Sequence, residues 1–184
     1  TTLRLAVSPD ISRLWLGERL PRFHANYPRI DLSVTLLYDF EDDALERADV
    51  VLRYAAEPVD GVLAMPLWRE SVVAVAAPEM ALEAEESDRY SLVQRFPLIQ
   101  IQQFSWAAWL KEPNGRQAVQ HAMLITPDLV FGLEMAASGM GIALAPRRLA
   151  RRYLLQKRLS LASRLEEPGS YYHALTLESN ASRV

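Results

Sequence analysis

The chain contains no cysteine, which excludes a disulfide framework and any thiolate-held metal. Its 3 histidines, His24, His121 and His173, are isolated, with no H-E-x-x-H or comparable ligand spacing, so no metal is expected. Only 7 glycines occur in 184 residues. None of them builds a G-x-S-x-G elbow, a P-loop or a G-x-G-x-x-G turn, so neither a phosphate cradle nor a cofactor is implied. An excess of positive charge is missing too. With 20 Lys+Arg against 23 Asp+Glu the net charge is -3, which argues against a chain built mainly to grip nucleic acid. No apolar run approaches the roughly 18 residues needed to span a bilayer, so no membrane partner is expected. A secretory leader is absent, and the first residue is Thr rather than Met, as in a processed or excised chain. A cytoplasmic protein is compatible with all of this.

Apolar side chains are plentiful. Half the residues are hydrophobic (50%), enough for the core of one large domain or two small ones. The most ordered stretch runs from Thr126 to Pro146. Thr126 reads as a helix N-cap with Pro127 at the first helical position. Leu129, Leu133, Ala136 and Ala137 then fall on one face at helical spacing. Gly139 suits a left-handed helix end, and Gly141 a close backbone approach. Ile142 to Ala145 reads as a short buried strand, with Pro146 opening the next helix. The glycines of Ser138-Gly139-Met140-Gly141 follow a helix and precede a strand, the reverse of a phosphate-binding order.

Taken from the start, Leu3 to Val7 alternates as a strand and runs into Ser8-Pro9-Asp10, followed by a helix through Leu14, Leu16, Leu20 and Phe23. Ile30 to Leu37 alternates as a strand, Asp39 to Arg47 reads as a short acidic helix, and Asp49 to Tyr54 as a third strand. This βαβαβ order predicts a parallel sheet with helices on its faces. Val62–Leu67 and Ser71–Ala77 read as two extended runs, and Pro78 opens a weak helix. Glu83 to Asp88 reads as an exposed connection and Leu92 to Phe96 as helical. Pro97 to Ile101 begins a second cycle, Ser105 caps a helix through Trp106, Trp109 and Leu110, and Pro113-Asn114-Gly115 is a turn. Val119 to Ile125 is a strand, residues 147–156 an arginine-rich helix, Leu159 to Leu161 a short strand and Tyr171 to Leu177 the last one.

In this order the chain resembles the effector-binding domain of LysR-type transcriptional regulators, in the branch of the glycine-cleavage activator and the β-lactamase-gene regulator. The segments that carry the likeness are L-R-L-A-V from Leu3, then Trp15-Leu16 through Leu20-Pro21-Arg22-Phe23, Tyr27-Pro28 and Ile30-Asp31-Leu32. They continue with A-D-V-V-L-R-Y from Ala48, Trp106-Ala107-Ala108-Trp109, and A-A-S-G-M-G-I-A-L-A-P from Ala136. The resemblance covers nearly the whole chain. It implies an α/β fold of two Rossmann-like subdomains, like a type II periplasmic binding protein, with an effector cleft between them and two crossing strands. The expected partition is residues 1–76 with 179–184, and residues 77–178. It also implies an N-terminal winged helix-turn-helix lying outside this sequence, and a C-terminal helix beyond the point where the chain stops at Ala181–Val184.

In such a fold ligands lie at the carboxyl ends of strands, against helix N-termini. Two such ends are Ser8-Pro9-Asp10 and Thr126-Pro127-Asp128. Ser8, Asp10 and Thr126 either cap their helices, each worth about 1 kcal/mol, or touch the effector. At the position of Asp10 the resembled branch commonly carries Thr or Ser. An aspartate there repels an anion and favours an ammonium or hydroxyl donor. Tyr171 aligns with a cleft tyrosine of the branch, or else packs across the sheet. Arg53 is either a cleft residue or a structural ion pair. The effector-binding set is therefore Ser8, Pro9, Asp10, Arg53, Thr126 and Tyr171. Trp106 and Trp109 read as core, and the cluster Arg147, Arg148, Arg151, Arg152, Lys157 and Arg158 as a solvated helix face.

The expected function is sensing, not catalysis, since no acid–base or nucleophile constellation stands out. Expected partners are a small-molecule effector, a second copy of the chain (with a tetramer for the full-length protein) and DNA only through the N-terminal domain. The first helix and the helix after Thr126 are the expected dimer contacts. A periplasmic-type solute-binding protein is the main alternative, and an enzyme on the same scaffold the second.

Overall fold

The computed structural model describes residues 1–38, 44–54, 60–111 and 122–180. The expected turn Pro113–Gly115, the start of the expected strand at Val119, His121 and Ala181–Val184 lie outside the described residues. The chain divides into two compact units, one of Thr1–Glu70 with Ser170–Val184 and one of Ser71–Gly169.

In the first unit, strand β1 (Thr2–Val7) pairs in parallel with β2 (Asp31–Leu36) and β3 (Val50–Tyr54). The short helix α1 (Pro9–Ile11) runs straight into a π-helical turn, Ser12–Leu16, closed by Gly17 N–H donating to the Ser12 carbonyl at 3.0 Å. The expected single helix through Phe23 is thus divided. Only after the bend at Gly17–Arg19 does α2 (Leu20–Asn26) begin, with no buried side chain. The turn of α3 (Ala44–Arg47) supplies Ala44 and Leu45 to a core with Ala6, Ala48, Val51 and Leu175. Asp49 at the start of the third strand run holds Arg4, its carboxylate accepting from the guanidinium at 2.8 Å and from the Arg4 backbone N–H at 2.8 Å.

Two expectations of paired short strands are corrected. Val62–Ala76 is one strand, β4, and Ser160–Leu177 is one strand, β8. Their polar stretches around Arg69-Glu70 and Arg164–Gly169 interrupt the apolar pattern but not the strand. Each strand contributes residues to both units. The C-terminal part of β8 closes the first unit's sheet, antiparallel to β3, giving the order β2-β1-β3-β8.

The second unit has the order β4-β7-β5-β6, with β5 (Leu98–Ile101), β6 (Ala122–Thr126) and β7 (Ile142–Pro146). Strand β5 is parallel to β6 and β7, and β4 antiparallel to β7. Helices α4 (Pro78–Ala84), α5 (Arg89–Arg95), α6 (Trp106–Leu110), α7 (Leu129–Ala137) and α8 (Arg147–Leu155) complete it. Every residue of β5 and β7 is buried, as expected for strands covered on both faces. Asp88 caps α5 by accepting from the N–H groups of Tyr90 and Ser91, and Ser105 caps α6.

Two glycines hold β7 in place. Gly139 has φ 82 at the end of α7, a conformation that side chains resist. Gly141 lies so close to β5 that a Cβ would stand 2.7 Å from the Pro97 carbonyl oxygen, the atom to which Ile142 N–H donates at 2.9 Å. Trp106 and Trp109 are core residues, set edge to face at 5.5 Å, with Trp106 Nε1 donating to the Ile99 carbonyl at 3.0 Å. Among the described residues no helix is long and apolar enough to cross a membrane.

Candidate functional site

The carboxyl end of β1 delivers the chain into α1 through Ser8, whose extended backbone (φ -67, ψ 152) sets the N-cap while its side chain makes no capping bond. Pro9 fills the first helical position, and its carbonyl accepts from the Ser12 hydroxyl at 2.7 Å. Asp10 follows and is buried, at 6% exposure. A buried carboxylate needs partners, and its charge acts on the Tyr172 hydroxyl of β8.

Side chains on a strand alternate between faces. In the β3–β8 register Tyr54 stands opposite Tyr172, and Arg53 opposite His173. Tyr54 and Tyr172 therefore share a face, their rings 4.9 Å apart. Trp68 of β4 stacks on Tyr172 at 4.9 Å, and Trp15 of the π-helical turn on Trp68 at 4.6 Å. The Arg19 guanidinium closes the row 4.4 Å above Trp15. Trp15 thus enters the row from a π-helical turn, a geometry common at functional sites.

The polar ends of the row differ. Trp68 Nε1 donates to the Glu70 carboxylate at 3.1 Å, and Glu70 is itself 5% exposed. The Tyr54 hydroxyl accepts from Ser170 N–H at 2.8 Å. The Tyr172 hydroxyl is fully buried and has no hydrogen-bond partner among the described residues. Burial pushes that hydroxyl well above the ordinary tyrosine range, and the negative charges of Asp10 and Glu70, then Tyr54, push it further. Both carboxylates thus act on one neutral, unsatisfied phenol.

The residues expected to bind effector are only partly gathered. Ser8, Pro9 and Asp10 stand together at the entry to α1. Arg53 and Tyr171 belong to the other face of the β3–β8 pair, where Tyr171 is 43% exposed and lies 6.1 Å from His173. Thr126 is in the second unit and buried, and it is not the cap of α7. Asp128 is: its carboxylate accepts from Phe131 N–H at 2.9 Å, while the Thr126 hydroxyl accepts from Asp128 N–H at 3.1 Å. Pro127, expected as the first helical residue, precedes the cap; an anionic Asp one residue later suits the positive helix end better than a hydroxyl.

Glu70, Tyr172, Trp68 and Tyr54 were not singled out from the sequence. The available signal was a carboxylate two residues after a tryptophan, Leu67-Trp68-Arg69-Glu70, between two runs read as extended.

In the second unit the polar contacts are structural. The Tyr153 hydroxyl donates to Glu134 at 2.7 Å and Arg158 donates to both oxygens of the same carboxylate at 3.1 and 2.5 Å. Burial, then the Glu134 bond, pushes Tyr153 up to about 12, and the Arg158 and Tyr153 bonds hold Glu134 below the usual carboxylate range. Arg147 is ion-paired with Glu166, so parts of the arginine cluster are tied down on the protein itself.

Residues 1–183 match the LysR substrate binding domain family. The chain belongs to that family. It is 30% identical over 164 residues to the HTH-type transcriptional activator AmpR of Pseudomonas aeruginosa, covering 86% of this chain and 53% of that protein. This LysR substrate binding domain therefore spans about half the length of the curated relatives it matches. Among solved structures, the AmpR effector binding domain from Citrobacter freundii superposes with a TM-score of 0.80 at 24% identity, over 97% of this chain and 89% of that one. The CrgA regulatory domain from Neisseria meningitidis gives 0.78 at 16% identity, over 98% and 91%. These likenesses fix the fold, that of a type II periplasmic binding protein, and the chain is an effector-binding domain of the LysR type. A solute-binding protein is not favoured.

Proposed function

We propose that this domain senses a small metabolite through the buried polar group around Asp10 and transmits occupancy to a winged helix-turn-helix in the same polypeptide. The observation that carries the reading is the unsatisfied Tyr172 hydroxyl beside Asp10, at the carboxyl end of β1 where this fold class places ligands. Binding needs no chemistry. It needs only different effector affinities in two conformations of the domain, which shifts their populations. The domain is accordingly assigned no catalytic role, and the protein is assigned to the cytoplasm, where its DNA is.

Ser8 and Pro9 belong to the proposed effector site, as they frame Asp10. Thr126, Arg53 and Tyr171 remain proposed contacts. We assign the domain to a homodimer, and the longer protein to a tetramer. Support comes from apolar side chains left in solvent: α2 buries none of its residues, Tyr27 is 54% exposed, and Phe131 on α7 is 47% exposed.

Footprinting of the longer protein on its own promoter region, with and without a small-molecule extract of the host cells, tests the reading. The expected result is an extract-dependent change of footprint that Asp10→Asn weakens. A footprint that no extract fraction alters would overturn it.

A further inference from the structure

We propose that the end of the effector buried at Asp10, Glu70 and Tyr172 is a protonated amine, held by the Asp10 carboxylate and donating to the Tyr172 hydroxyl oxygen. The inference rests on the sensing function and adds to it the chemical class of the ligand.

Ionised carboxylates only accept hydrogen bonds, whereas a phenol both donates and accepts. Asp10 and Glu70 are buried at 6% and 5% exposure within one unit. Both have further interactions with the protein, so neither is a vacant site on its own. Tyr172 is different. Its ring is fixed between Trp68 and Tyr54, each 4.9 Å away, so the hydroxyl cannot swing to solvent. It is fully buried and unpartnered among the described residues.

Something must satisfy that hydroxyl in the functional state, because a buried polar group without a bond is costly. A ligand carboxylate or phosphate could accept from it, but would come to rest beside two negative charges in a poorly screened site. A hydroxyl could donate to one carboxylate, but it carries no charge for the second to attract. An ammonium donates up to three bonds and is attracted by both anions. The aromatic row adds a negative electrostatic face to the same surroundings. The far end of the same row already carries a cation, the Arg19 guanidinium over Trp15.

The experiment is a protein-observed NMR titration of the domain with two isosteric probes, propylammonium and propionate, following the indole N–H resonance of Trp68, which bonds Glu70. The expected result is saturable, low-millimolar binding of propylammonium and no saturable shift with propionate. Tyr172→Phe, which keeps the ring, and Asp10→Asn should each weaken propylammonium binding about tenfold in proteins that still melt cooperatively. Equal binding of both probes, preference for propionate, no binding of either, or an unchanged affinity in Tyr172→Phe would each overturn the assignment. The footprint separates this from the sensing function. If an anionic small molecule alters the footprint while propylammonium fails, the amine assignment falls and sensing stands. If propylammonium titrates Trp68 through Tyr172 while no small molecule alters the footprint, the amine site stands and sensing falls.

Discussion

Removing one oxygen atom from each of two stacked tyrosines should change stability in opposite directions. Tyr54 and Tyr172 lie face to neighbouring face at 4.9 Å, and both changes to phenylalanine keep that contact. At Tyr54 the hydroxyl accepts from Ser170 N–H at 2.8 Å. Its loss strands a backbone donor, which costs about 1–2 kcal/mol. At Tyr172 the hydroxyl is buried without a partner. The unfolded chain hydrates it and the folded chain does not, so the ligand-free domain carries a penalty of about 1–2 kcal/mol that Phe removes. The predicted difference between Tyr172→Phe and Tyr54→Phe is then about 2–4 kcal/mol. For a domain of this size each kcal/mol moves Tm by about 2–4 °C, and with a urea slope near 2 kcal/mol/M it moves the midpoint by about 0.5 M. Urea unfolding of the two variants and the unmodified domain, each stripped of small molecules, measures both. If Tyr172→Phe loses as much stability as Tyr54→Phe, the Tyr172 hydroxyl has a structural partner, and the account of the site is wrong.

Four further outcomes follow from the packing. Gly141→Ala forces a Cβ against the backbone carbonyl of Pro97 and should cost about 3 kcal/mol in urea unfolding. At Gly132 the Cβ would meet side chains rather than backbone, Ile101 at 2.8 Å and the Thr126 methyl at 3.5 Å, and Ala also favours the helix by about 1 kcal/mol, so Gly132→Ala should cost clearly less. Phe131→Glu on the exposed face of α7 should turn the proposed homodimer into a monomer with unchanged Tm, whereas an unchanged sedimentation coefficient would remove α7 from the pairing surface. In alkali the neutral Tyr153 stabilises the fold. Its hydroxyl titrates near 10 when unfolded and about 12 when folded, so this contribution is complete below about pH 10 and lost as pH rises toward 12. Tyr153→Phe should flatten that part of the thermal-stability profile.

The parts of the fold written in local sequence were legible. The strands β1 and β3, Ser105 as a cap and Gly139 as a left-handed helix end each depend on a few adjacent residues, and all stand as expected. What failed depends on distant pairing. Arg69-Glu70 and the charged stretch near Glu166-Glu167 look like breaks between strands, yet β4 and β8 run through them without interruption. The π-helical turn leaves the apolar spacing of Leu14, Leu16 and Leu20 almost unmarked. The site shows the same division. Asp10 was noticeable as a departure from the Thr or Ser common in the resembled branch. Glu70 and Tyr172 reach it only through the stacking of Tyr54, Tyr172 and Trp68, which no spacing in the sequence announces. Tyr171 was named because it matched a familial position, while its neighbour Tyr172 points to the opposite face and into the buried group.

Native mass spectrometry of the purified domain, before and after mild denaturation, tests the central claim most directly. The account predicts a protein that releases one small amine-bearing molecule per chain, with occupancy falling in Asp10→Asn. A domain that carries no small molecule, and takes up none from a cell extract, would contradict the assignment of this site to effector sensing.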